Sequence, residues 1–456
     1  MGTSFLKRVF YTPPPPPAAG LYHYQLNING GKSRVHLRIE ADGYGLLIIN
    51  ANHIFHLNPT AAYTAYLHLQ HLPASHIVNA IRRYYQVSAQ QARQHLEAFL
   101  PQLESILDPN GPCPVCDLDL ETLAPFSANP SAPYRMDLAI TYRCNNNCAH
   151  CYNARPRNGE ELSTAKWKNI LDRLWDLSIP HIVFTGGEPT LRPDLPELIT
   201  HAEQLGQITG INTNGRMLKQ PAYVQKLVEA GLDHVQITLE SHNPAIHDHM
   251  VAAPGAWEDT VKGIQNALSN RLFVMTNTTL LQENSRYLAE TLHFLADLGV
   301  PTVGLNALIY AGQGANVGTG LPESQLPPLL NLARRITEEN HQKLIWYTPT
   351  QYCHFDPIQM ELGVKGCTAA LYNMCIEPDG SVIPCQSYYQ SLGKILDQDW
   401  ESIWNHELAR ALRQRSNLPV DCQLCAYVKE CGGGCPLARQ NATYPVPIPI
   451  HPHFAK

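Results

Sequence analysis

The sequence has no long apolar run, no basic block and no secretory start, and each absence excludes a class of protein. In 456 residues no apolar stretch approaches the roughly 18 residues that a membrane-spanning helix needs. The start, MGTSFLKRVFYTPPPPP, lacks the continuous apolar segment of a signal peptide. The formal net charge is −6 and Lys and Arg are not clustered, so a nucleic-acid partner is not indicated. We therefore expect a cytoplasmic protein without a membrane or nucleic-acid partner.

Cysteine is the residue type that departs from the ordinary, with 13 in the chain. In a reducing cytosol clustered thiols are more often metal ligands or catalytic groups than disulfides. Most of these cysteines fall in two groups, at 144–151 and 367–435. The clustering favours metal binding.

The N-terminal quarter is predicted to form a small separate domain, because 456 residues imply two or three domains. Residues 1–21 contain a run of five prolines, Pro13 to Pro17, and are expected to be an extended tail. Residues 22–107 show three strand-like runs, HLRIE, YGLLIIN and HIFHLN, and then three helical patterns. Residues 108–133, rich in Pro, Ser, Asp and Asn, indicate a linker that contains Cys113 and Cys116.

Residues 134–345 show alternating strands and helices, so the predicted fold class is α/β. Six consecutive β–α units imply a parallel sheet with helices outside, curved into a partial (β/α)6 barrel of the TIM type, whose ligands bind at the carboxyl ends of the strands. A cysteine-rich domain at 346–440 and a proline-rich tail at 441–456 follow. The six predicted strands are MDLAITYR, HIVFTGG, ITGINTN, HVQITLE, LFVMTNTTL and TVGLNALI.

Three cysteines directly follow the first barrel strand, in Cys144-Asn-Asn-Asn-Cys148-Ala-His-Cys151. Three thiolates can hold three irons of a [4Fe–4S] cube, which leaves one iron open to an exogenous chelator. The alternatives are a zinc knuckle or three unrelated cysteines, but zinc would need a fourth ligand nearby.

This C-x3-C-x2-C motif after strand one resembles the signature of the radical S-adenosylmethionine (SAM) superfamily. The resemblance implies that SAM chelates the open iron through its amino and carboxylate groups. It also implies that one electron cleaves SAM to a 5′-deoxyadenosyl radical, which abstracts hydrogen from a substrate. The family usually has an aromatic residue before the third cysteine; here it is His150, with Tyr152 just after.

Further motifs at the strand ends support the resemblance. The GGEP sequence ending at Pro189 is similar to a family motif whose carboxylate or nearby carbonyls receive the methionyl ammonium, and the NTNG sequence ending at Gly215 is similar to another. Strand four ends in ITLES, where relatives have Ser-x-Asp. One departure is Val251, where many relatives have an arginine that would pair with the SAM carboxylate. The resemblance implies SAM contacts at Tyr152, Gly186, Gly187, Glu188, Asn214, Thr238 and Glu240.

The later cysteines resemble the SPASM extension of radical SAM enzymes, which carries auxiliary [4Fe–4S] clusters. The resemblance assigns Cys367, Cys375, Cys385 and Cys435 to a first auxiliary cluster, and Cys422, Cys425 and Cys431 to a second. No cysteine follows Cys435, so either one iron stays open, or only one auxiliary cluster forms, or a ligand comes from elsewhere. The candidates for that ligand are Cys353, Asp421, His451, His453 and the pair Cys113 and Cys116.

The N-terminal domain resembles a PqqD-like peptide-recognition element, a winged-helix-like fold, through ADGYGLLIINANHIFHLNPTAAYTAYLHL and IVNAIRRYYQVSAQQARQHLEAFLPQL. It implies a maturase that binds the leader of a ribosomally made precursor peptide and receives electrons from a reductant such as ferredoxin or flavodoxin. Rival interpretations are a sulfatase maturase, against which Gln386 argues because those enzymes have Asp there, a haem-pathway enzyme, and a non-catalytic scaffold. The catalytic acid or base and the modified residue are not predicted.

Overall fold

The computed structural model describes residues 12–28, 31–50, 53–107, 130–153, 155–270 and 272–441. The chain divides into two compact units, residues 1–131 and 132–456. No helix in these ranges is long and apolar enough to cross a membrane. Four candidate ligands of the second auxiliary cluster lie outside the described residues, namely Cys113, Cys116, His451 and His453.

In its described residues, the first unit is a four-stranded antiparallel sheet in the order β1-β2-β3-β4, with three helices. Strand β1 was not predicted, although its Tyr22, Tyr24 and Leu26 alternate with polar residues and pack on the core, as expected of a half-buried strand. Helix α1 begins after Asn58, whose side chain accepts a hydrogen bond from the Ala61 amide at 2.9 Å. The elements are β1 Gly20–Ile28, β2 Gly31–Ile39, β3 Gly45–Ile49, β4 His53–Leu57, α1 Pro59–Leu69, α2 Ala74–Tyr85 and α3 Ala89–Leu107.

The second unit contains seven parallel strands, β5 to β11, joined in the order of the sequence. The first six are the predicted strands, and β11 adds a seventh at one edge. The predicted α/β partial barrel, with an antiparallel domain before it and a cysteine-rich region after it, is confirmed. The strands are β5 Arg135–Thr141, β6 His181–Gly186, β7 Ile208–Thr213, β8 His234–Thr238, β9 Phe273–Thr279, β10 Thr302–Asn306 and β11 Lys343–Trp346.

Helices cover one face of this sheet, and the strands bury apolar residues against them. In β5, Met136, Leu138 and Ile140 join the core with the helical residue Trp167. Because side chains alternate along a strand, Asp137 and its neighbours two residues on face the interior of the barrel. The helices are α4 Thr164–Asp176, α5 Leu195–Leu205, α6 Pro221–Glu229, α7 Pro244–Val251, α8 Ala256–Ser269, α9 Leu288–Asp297 and α10 Leu326–Glu339.

The cysteine-rich region continues the barrel sheet. Its first strand, β12, pairs in parallel with β5, and the amides of Tyr134 and Arg135 both donate to the Tyr372 carbonyl, at 2.9 and 3.1 Å. Strands β13 and β14 follow in antiparallel order. The elements are β12 Asn373–Ile376, β13 Ser381–Ile383, β14 Gly393–Lys394, α11 Trp400–Trp404, α12 Glu407–Gln414, α13 Val420–Gln423, α14 Val428–Cys431 and α15 Pro436–Asn441.

Candidate functional site

The loop after β5 holds Cys144, Cys148 and Cys151 at the carboxyl end of the barrel strands. All three side chains are half-buried. Burial raises the pKa of Cys144 to about 11, and the charge of Cys151 contributes to the rise. Burial also raises the pKa of Cys148, again with a contribution from Cys151. The three thiols are therefore close enough to interact, and a bound cation is needed to keep them deprotonated.

The three thiols are not arranged as ligands of a single metal ion. Among the described residues no three His, Cys, Asp or Glu side chains converge on a point where one metal ion would sit. A zinc ion requires such convergence, whereas each thiolate of a four-iron cube binds a different iron. The Asn146 amide lies 3.4 Å from Cys144 Sγ and donates to it, as amides do to cluster thiolates. The three cysteines fit a four-iron cube with one iron free of protein thiolate.

The C-terminal end of helix α7 accepts hydrogen bonds from the cysteine loop. The amides of Asn147 and Ala149 donate to the carbonyls of Val251 and Met250, at 2.9 and 3.2 Å. The Val251 side chain is 1% exposed and packs with Cys148. The position at which many relatives have an arginine is thus filled here by apolar packing against Cys148, and it offers no charge to a SAM carboxylate.

Two arginines that the sequence reading missed also hold the cysteine loop. Arg216 Nη1 donates to the Asn145 carbonyl at 2.7 Å, and Arg157 Nη1 donates to the Cys144 carbonyl at 3.3 Å. Asn214, whose contact with SAM stays a prediction, donates from Nδ2 to Asn145 Oδ1 at 2.7 Å. Positive charge beside the loop offsets part of the negative charge of three thiolates. The signal in the sequence is only that Arg216 directly follows the NTNG motif.

The two glycines of the GGEP motif allow β6 to approach β5 closely. A Cβ on Gly186 would lie 2.0 Å from the Thr141 carbonyl oxygen, and Gly186 has a φ of +134°. A Cβ on Gly187 would lie 2.4 Å from the Arg143 carbonyl oxygen and 2.5 Å from that of Tyr142. Both contacts are to the backbone that leads into the cysteine loop. The glycines therefore set the position of this loop, in addition to any approach to a ligand.

Glu188 is fully buried and joins the ends of β6 and β7. Its Oε2 accepts from the Asn214 amide at 2.8 Å, while Oε1 accepts from the Thr213 hydroxyl at 2.7 Å and from the Thr190 amide at 3.1 Å. Burial raises the pKa of Glu188, and these hydrogen bonds offset part of the rise. The prediction gave this carboxylate, or nearby carbonyls, to the SAM ammonium. In the structure the carboxylate holds two loops of the site together, and its contact with SAM stays a prediction.

His150 and Glu240 form a buried pair between the cysteine loop and the end of β8. His150 Nε2 lies 2.8 Å from Glu240 Oε1, and the Thr279 amide donates to Oε2 at 2.8 Å. Burial would lower the pKa of His150, but the charge of Glu240 and its hydrogen bond outweigh burial and raise it. These two residues stand where the family has an aromatic residue and an aspartate. The two departures from the family pattern are therefore partners of each other.

A cavity of about 520 Å³ lies beside the cysteine loop. Its volume is in the range of small-molecule and cofactor sites. Glu283 has a buried carboxylate oxygen, Oε2, with no hydrogen-bond partner. A mostly apolar wall with one unpaired carboxylate oxygen suits a nucleoside, whose base is apolar on its faces and whose ribose offers hydroxyl donors. The lining residues are Ala149, His150, Asp248, His249, Met250, Ala252, Ala253, Pro254, Leu281 and Glu283.

Two further residues that were predicted to contact SAM, and one residue that the sequence analysis missed, lie in the barrel. Tyr152 donates from its hydroxyl to Gln386 Oε1 at 2.9 Å, so it links the cysteine loop to the residue after Cys385. Thr238 is half-buried at the end of β8. Asp137 is 0% exposed; its Oδ1 pairs with Arg135 at 2.7 Å, and its Oδ2 has no partner. The signal for Asp137 was an acidic residue inside an otherwise apolar strand.

The later cysteines form two groups. In the first, burial raises the pKa of Cys367 to about 12 and the charges of Cys435 and Cys385 contribute, while Cys375 in β12 is also affected by Cys385. In the second, burial raises the pKa of Cys422, and Cys431 and Cys425 add to it. The assignment of these cysteines to two auxiliary clusters, which the SPASM resemblance implies, remains a prediction.

Two protein-family models match the chain at these cysteines. A model described as the radical SAM superfamily matches residues 138–295, and one described as an iron–sulfur cluster-binding domain, SPASM, matches residues 367–431. This chain is a radical SAM enzyme with a SPASM domain. The radical SAM match includes the cysteine loop, the GGEP motif and Glu240, and the SPASM match includes six of the later cysteines, from Cys367 to Cys431.

Relatives by sequence include enzymes of haem synthesis. An AdoMet-dependent heme synthase of Methanosarcina barkeri is 27% identical over 320 residues, which are 66% of this chain and 91% of that protein. An Fe-coproporphyrin III synthase of the same organism is 29% identical over 328 residues, 64% of this chain and 81% of that protein. Neither identity nor coverage transfers a substrate to this radical SAM enzyme.

Solved structures with a similar fold include one bound to a precursor peptide and one bound to AdoMet. SuiB of Streptococcus suis bound to its precursor peptide SuiA matches with a TM-score of 0.67 and 18% identity, over 90% of this chain and 96% of SuiB. The enzyme anSMEcpe with bound AdoMet matches with a TM-score of 0.54 and 16% identity, over 68% of this chain and 91% of that chain. The SuiB match leaves out only about a tenth of this chain, so it includes most of residues 1–131.

Proposed function

We propose that this radical SAM enzyme modifies a ribosomally made precursor peptide, whose leader binds the N-terminal unit and whose core segment enters the barrel. The observation that carries the proposal is the extent of the shared fold. The likeness to SuiB includes most of the N-terminal unit, whereas the haem enzymes align with only 64–66% of the chain. A domain of this kind has a use in peptide binding and none that is evident in porphyrin chemistry.

The cysteine loop is assigned to the cluster that binds SAM. Cys144, Cys148 and Cys151 hold three irons, and the fourth remains for SAM. When bound, the cluster and SAM supply one-electron reduction and hydrogen abstraction, with electrons from a reductant such as ferredoxin or flavodoxin. The cavity beside the loop receives the nucleoside, and Glu283 accepts hydrogen bonds from its ribose. The His150–Glu240 pair fixes the loop against the barrel.

The N-terminal sheet offers two edges to a leader peptide, β1 and β4. An added strand would pair with the main chain of an edge strand and place alternate side chains on the sheet. Strand β4 carries Ile54, whose side chain is 45% exposed, an unusual apolar exposure on an edge strand. We assign the leader to β4, because the exposed Ile54 gives the added strand an apolar contact.

The barrel interior is suited to a polar peptide segment. Asp137 Oδ2 is buried without a partner. The hydroxyl of Tyr152, next to Cys151 in the chain, donates to the side-chain amide of Gln386, the residue after Cys385. A buried carboxylate oxygen without a partner is unfavourable unless a ligand supplies a donor. We assign Asp137 to contact the substrate, where it would receive a hydrogen bond from a peptide N–H or a side chain.

The second candidate function is a step of haem synthesis, favoured by the 27–29% identity to haem enzymes. It predicts SAM cleavage coupled to an iron porphyrin, with no effect of changes on the N-terminal sheet.

The test uses the full chain, purified and reconstituted without oxygen. Wild type should contain about twelve irons, the number for three four-iron cubes, and cleave SAM under dithionite. A variant with all three loop cysteines changed to alanine should lose about four irons and the cleavage. Zinc in place of iron, or intact SAM with all clusters present, contradicts the enzymatic assignment.

The substrate is tested by binding and turnover. Peptides encoded by short reading frames beside the gene are labelled and titrated by fluorescence anisotropy, and Fe-coproporphyrin III is offered in parallel. Ile54→Lys should weaken peptide binding at least tenfold, while Gln25→Lys, the same charge on an exposed position of the other edge strand, should not. Turnover of the porphyrin that is unaffected by Ile54→Lys, without binding of any peptide, would favour haem synthesis instead.

A further inference from the structure

The second auxiliary group lacks a ligand. Cys422, Cys425 and Cys431 supply three thiolates, and a four-iron cube ligated wholly by protein takes four. No cysteine follows Cys435 in the sequence. Either a fourth ligand comes from another part of the chain, or one iron stays open, or this second auxiliary cluster does not form.

The segment just after β11 lies directly against Cys431. The Tyr352 amide donates to Cys431 Sγ at 3.4 Å, and Cys431 Sγ lies 3.6 Å from the Thr350 carbonyl oxygen. A Cβ on Gly434 would lie 2.8 Å from Cγ of Gln351, so the two segments are in close contact along several residues. Cys353 is the next residue after the one whose amide reaches the Cys431 sulfur.

The electrostatic surroundings of Cys353 agree with this placement. Partial burial and, after it, the charges of Cys431 and Cys422 raise the pKa of Cys353 to about 11. These thiols therefore lie close enough to Cys353 to act on it. Cys353 is also an exposed cysteine, so no packing role explains it.

The neighbouring segment is anchored independently of the cysteines. His354 Nδ1 lies 2.5 Å from Glu323 Oε2, and the Gln351 amide donates to the same oxygen at 3.4 Å. The position of Cys353 beside Cys431 is thus set by an ion pair and a hydrogen bond. A ligand already held in place loses little conformational freedom when it binds metal.

We propose that Cys353 is the fourth protein ligand of the second auxiliary cluster, together with Cys422, Cys425 and Cys431. The inference rests on the auxiliary cluster assigned above. With four thiolates the cluster has no open iron, so its function is electron transfer or structural support rather than binding of a substrate atom. The ligand comes from before the SPASM motif in the chain, so that this cluster ties the end of the barrel to the last helices.

The first experiment is thiol footprinting on wild type. The apoprotein and the reconstituted protein are treated with iodoacetamide without oxygen, and each cysteine peptide is quantified by mass spectrometry. Cys353 should be alkylated in the apoprotein, and its rate of alkylation should be at least tenfold lower in the cluster-loaded protein. When iron is chelated, Cys353 and Cys431 should lose this protection together. Equal alkylation of Cys353 in both states overturns the proposal.

The second experiment uses Cys353→Ala and the conservative Cys353→Asp, with the double variant Cys113→Ala/Cys116→Ala as the rival ligand set. Iron per chain and the electron paramagnetic resonance spectrum of the reduced protein are measured. Cys353→Ala should lose about one to four irons and one set of signals, Cys353→Asp should retain the cluster with altered signals, and the rival double variant should match wild type. Unchanged iron and spectra in Cys353→Ala, or loss in the rival variant instead, overturn the assignment.

These readouts are separate from the proposed function. Cys353→Ala should still bind SAM at the first cluster and cleave it under dithionite, because Cys144, Cys148 and Cys151 are untouched. Failure to modify any peptide would therefore leave the ligand assignment intact. A wild type that holds about eight irons has no second auxiliary cluster, and that outcome overturns it.

Discussion

Replacing Glu188 by glutamine tests whether this carboxylate holds the site together or contacts SAM. The carboxylate is fully buried and accepts hydrogen bonds from Thr190, Thr213 and Asn214. Glu188→Gln keeps the size and shape of the side chain but turns one of its two acceptor oxygens into a donor. Every group that hydrogen-bonds to this side chain in the structure is a donor.

The cost follows from the hydrogen bonds. In its better orientation the new amide oxygen takes the place of Oε1 and keeps the bonds from Thr190 and Thr213. Its nitrogen then faces the Asn214 amide, which donates to Oε2 at 2.8 Å in wild type. Two buried donors are left unsatisfied at about 1–3 kcal/mol each, so the free energy of unfolding should fall by about 2–6 kcal/mol. At about 2 °C per kcal/mol for a domain of this size, the thermal midpoint should fall by about 4–12 °C.

The assay is thermal unfolding followed by circular dichroism, with iron content measured on the same samples. The matched control is Glu197→Gln, which removes the charge of a 58% exposed side chain paired with Lys168 and should change stability by no more than about 0.5 kcal/mol. A midpoint equal to wild type, with full iron content but weaker binding of SAM, would refute the reasoning and restore Glu188 as a SAM contact.

Three further predictions concern the same unit. Gly187→Ala should lower stability by about 1–3 kcal/mol and reduce iron at the first cluster, whereas Gly159→Ala, where the nearest atom to a new Cβ is 3.6 Å away, should do neither; equal iron content in both variants would contradict this. His150→Phe should leave Glu240 without its cation and should reduce both the stability of the protein and the binding of SAM. Adding Glu240→Leu to this variant should recover part of the stability. The coupling energy between the two positions is measured in a double-mutant cycle. Burial lowers the pKa of His234 to about 4, so the unfolded chain takes up this proton first and stability should fall from about pH 6.5 to 4 by about 3 kcal/mol at most; urea midpoints at about pH 7.5 and pH 5 should differ less in His234→Gln than in wild type.

The parts of the fold that depend on local pattern could be predicted from the sequence. The six strands β5 to β10 were predicted because strands buried on both faces are continuous apolar runs between turn residues. Strand β1 was missed because its Tyr and Leu residues alternate with polar ones and form no continuous apolar run; the predicted tail included only its first two residues. The parallel pairing of β12 with β5 joins residues more than two hundred positions apart, and no local pattern encodes it.

The candidate site likewise has parts that local sequence patterns predict and parts that they do not. The spacing of Cys144, Cys148 and Cys151 is local, and so the sequence identified the loop. Glu188 and Glu240 were also predicted to belong to the site. The groups that each carboxylate contacts could not be predicted, because the fold brings them together from distant parts of the sequence. Glu240 meets His150 from 90 residues away. A family pattern gives the residue types at a site, and departures from it gain meaning only when the structure shows which of them are in contact.

The pairing of β12 with β5 has a consequence for the integrity of the chain. The segment between Trp346 and Asn373 connects two parts of one hydrogen-bonded sheet, so the covalent connection is only one of the links between them. A protease cut in that segment should give two fragments that elute together from a sizing column and separate only in denaturant. Expressed alone, the barrel fragment would expose β5 as a bare edge strand, and such edges lead to aggregation.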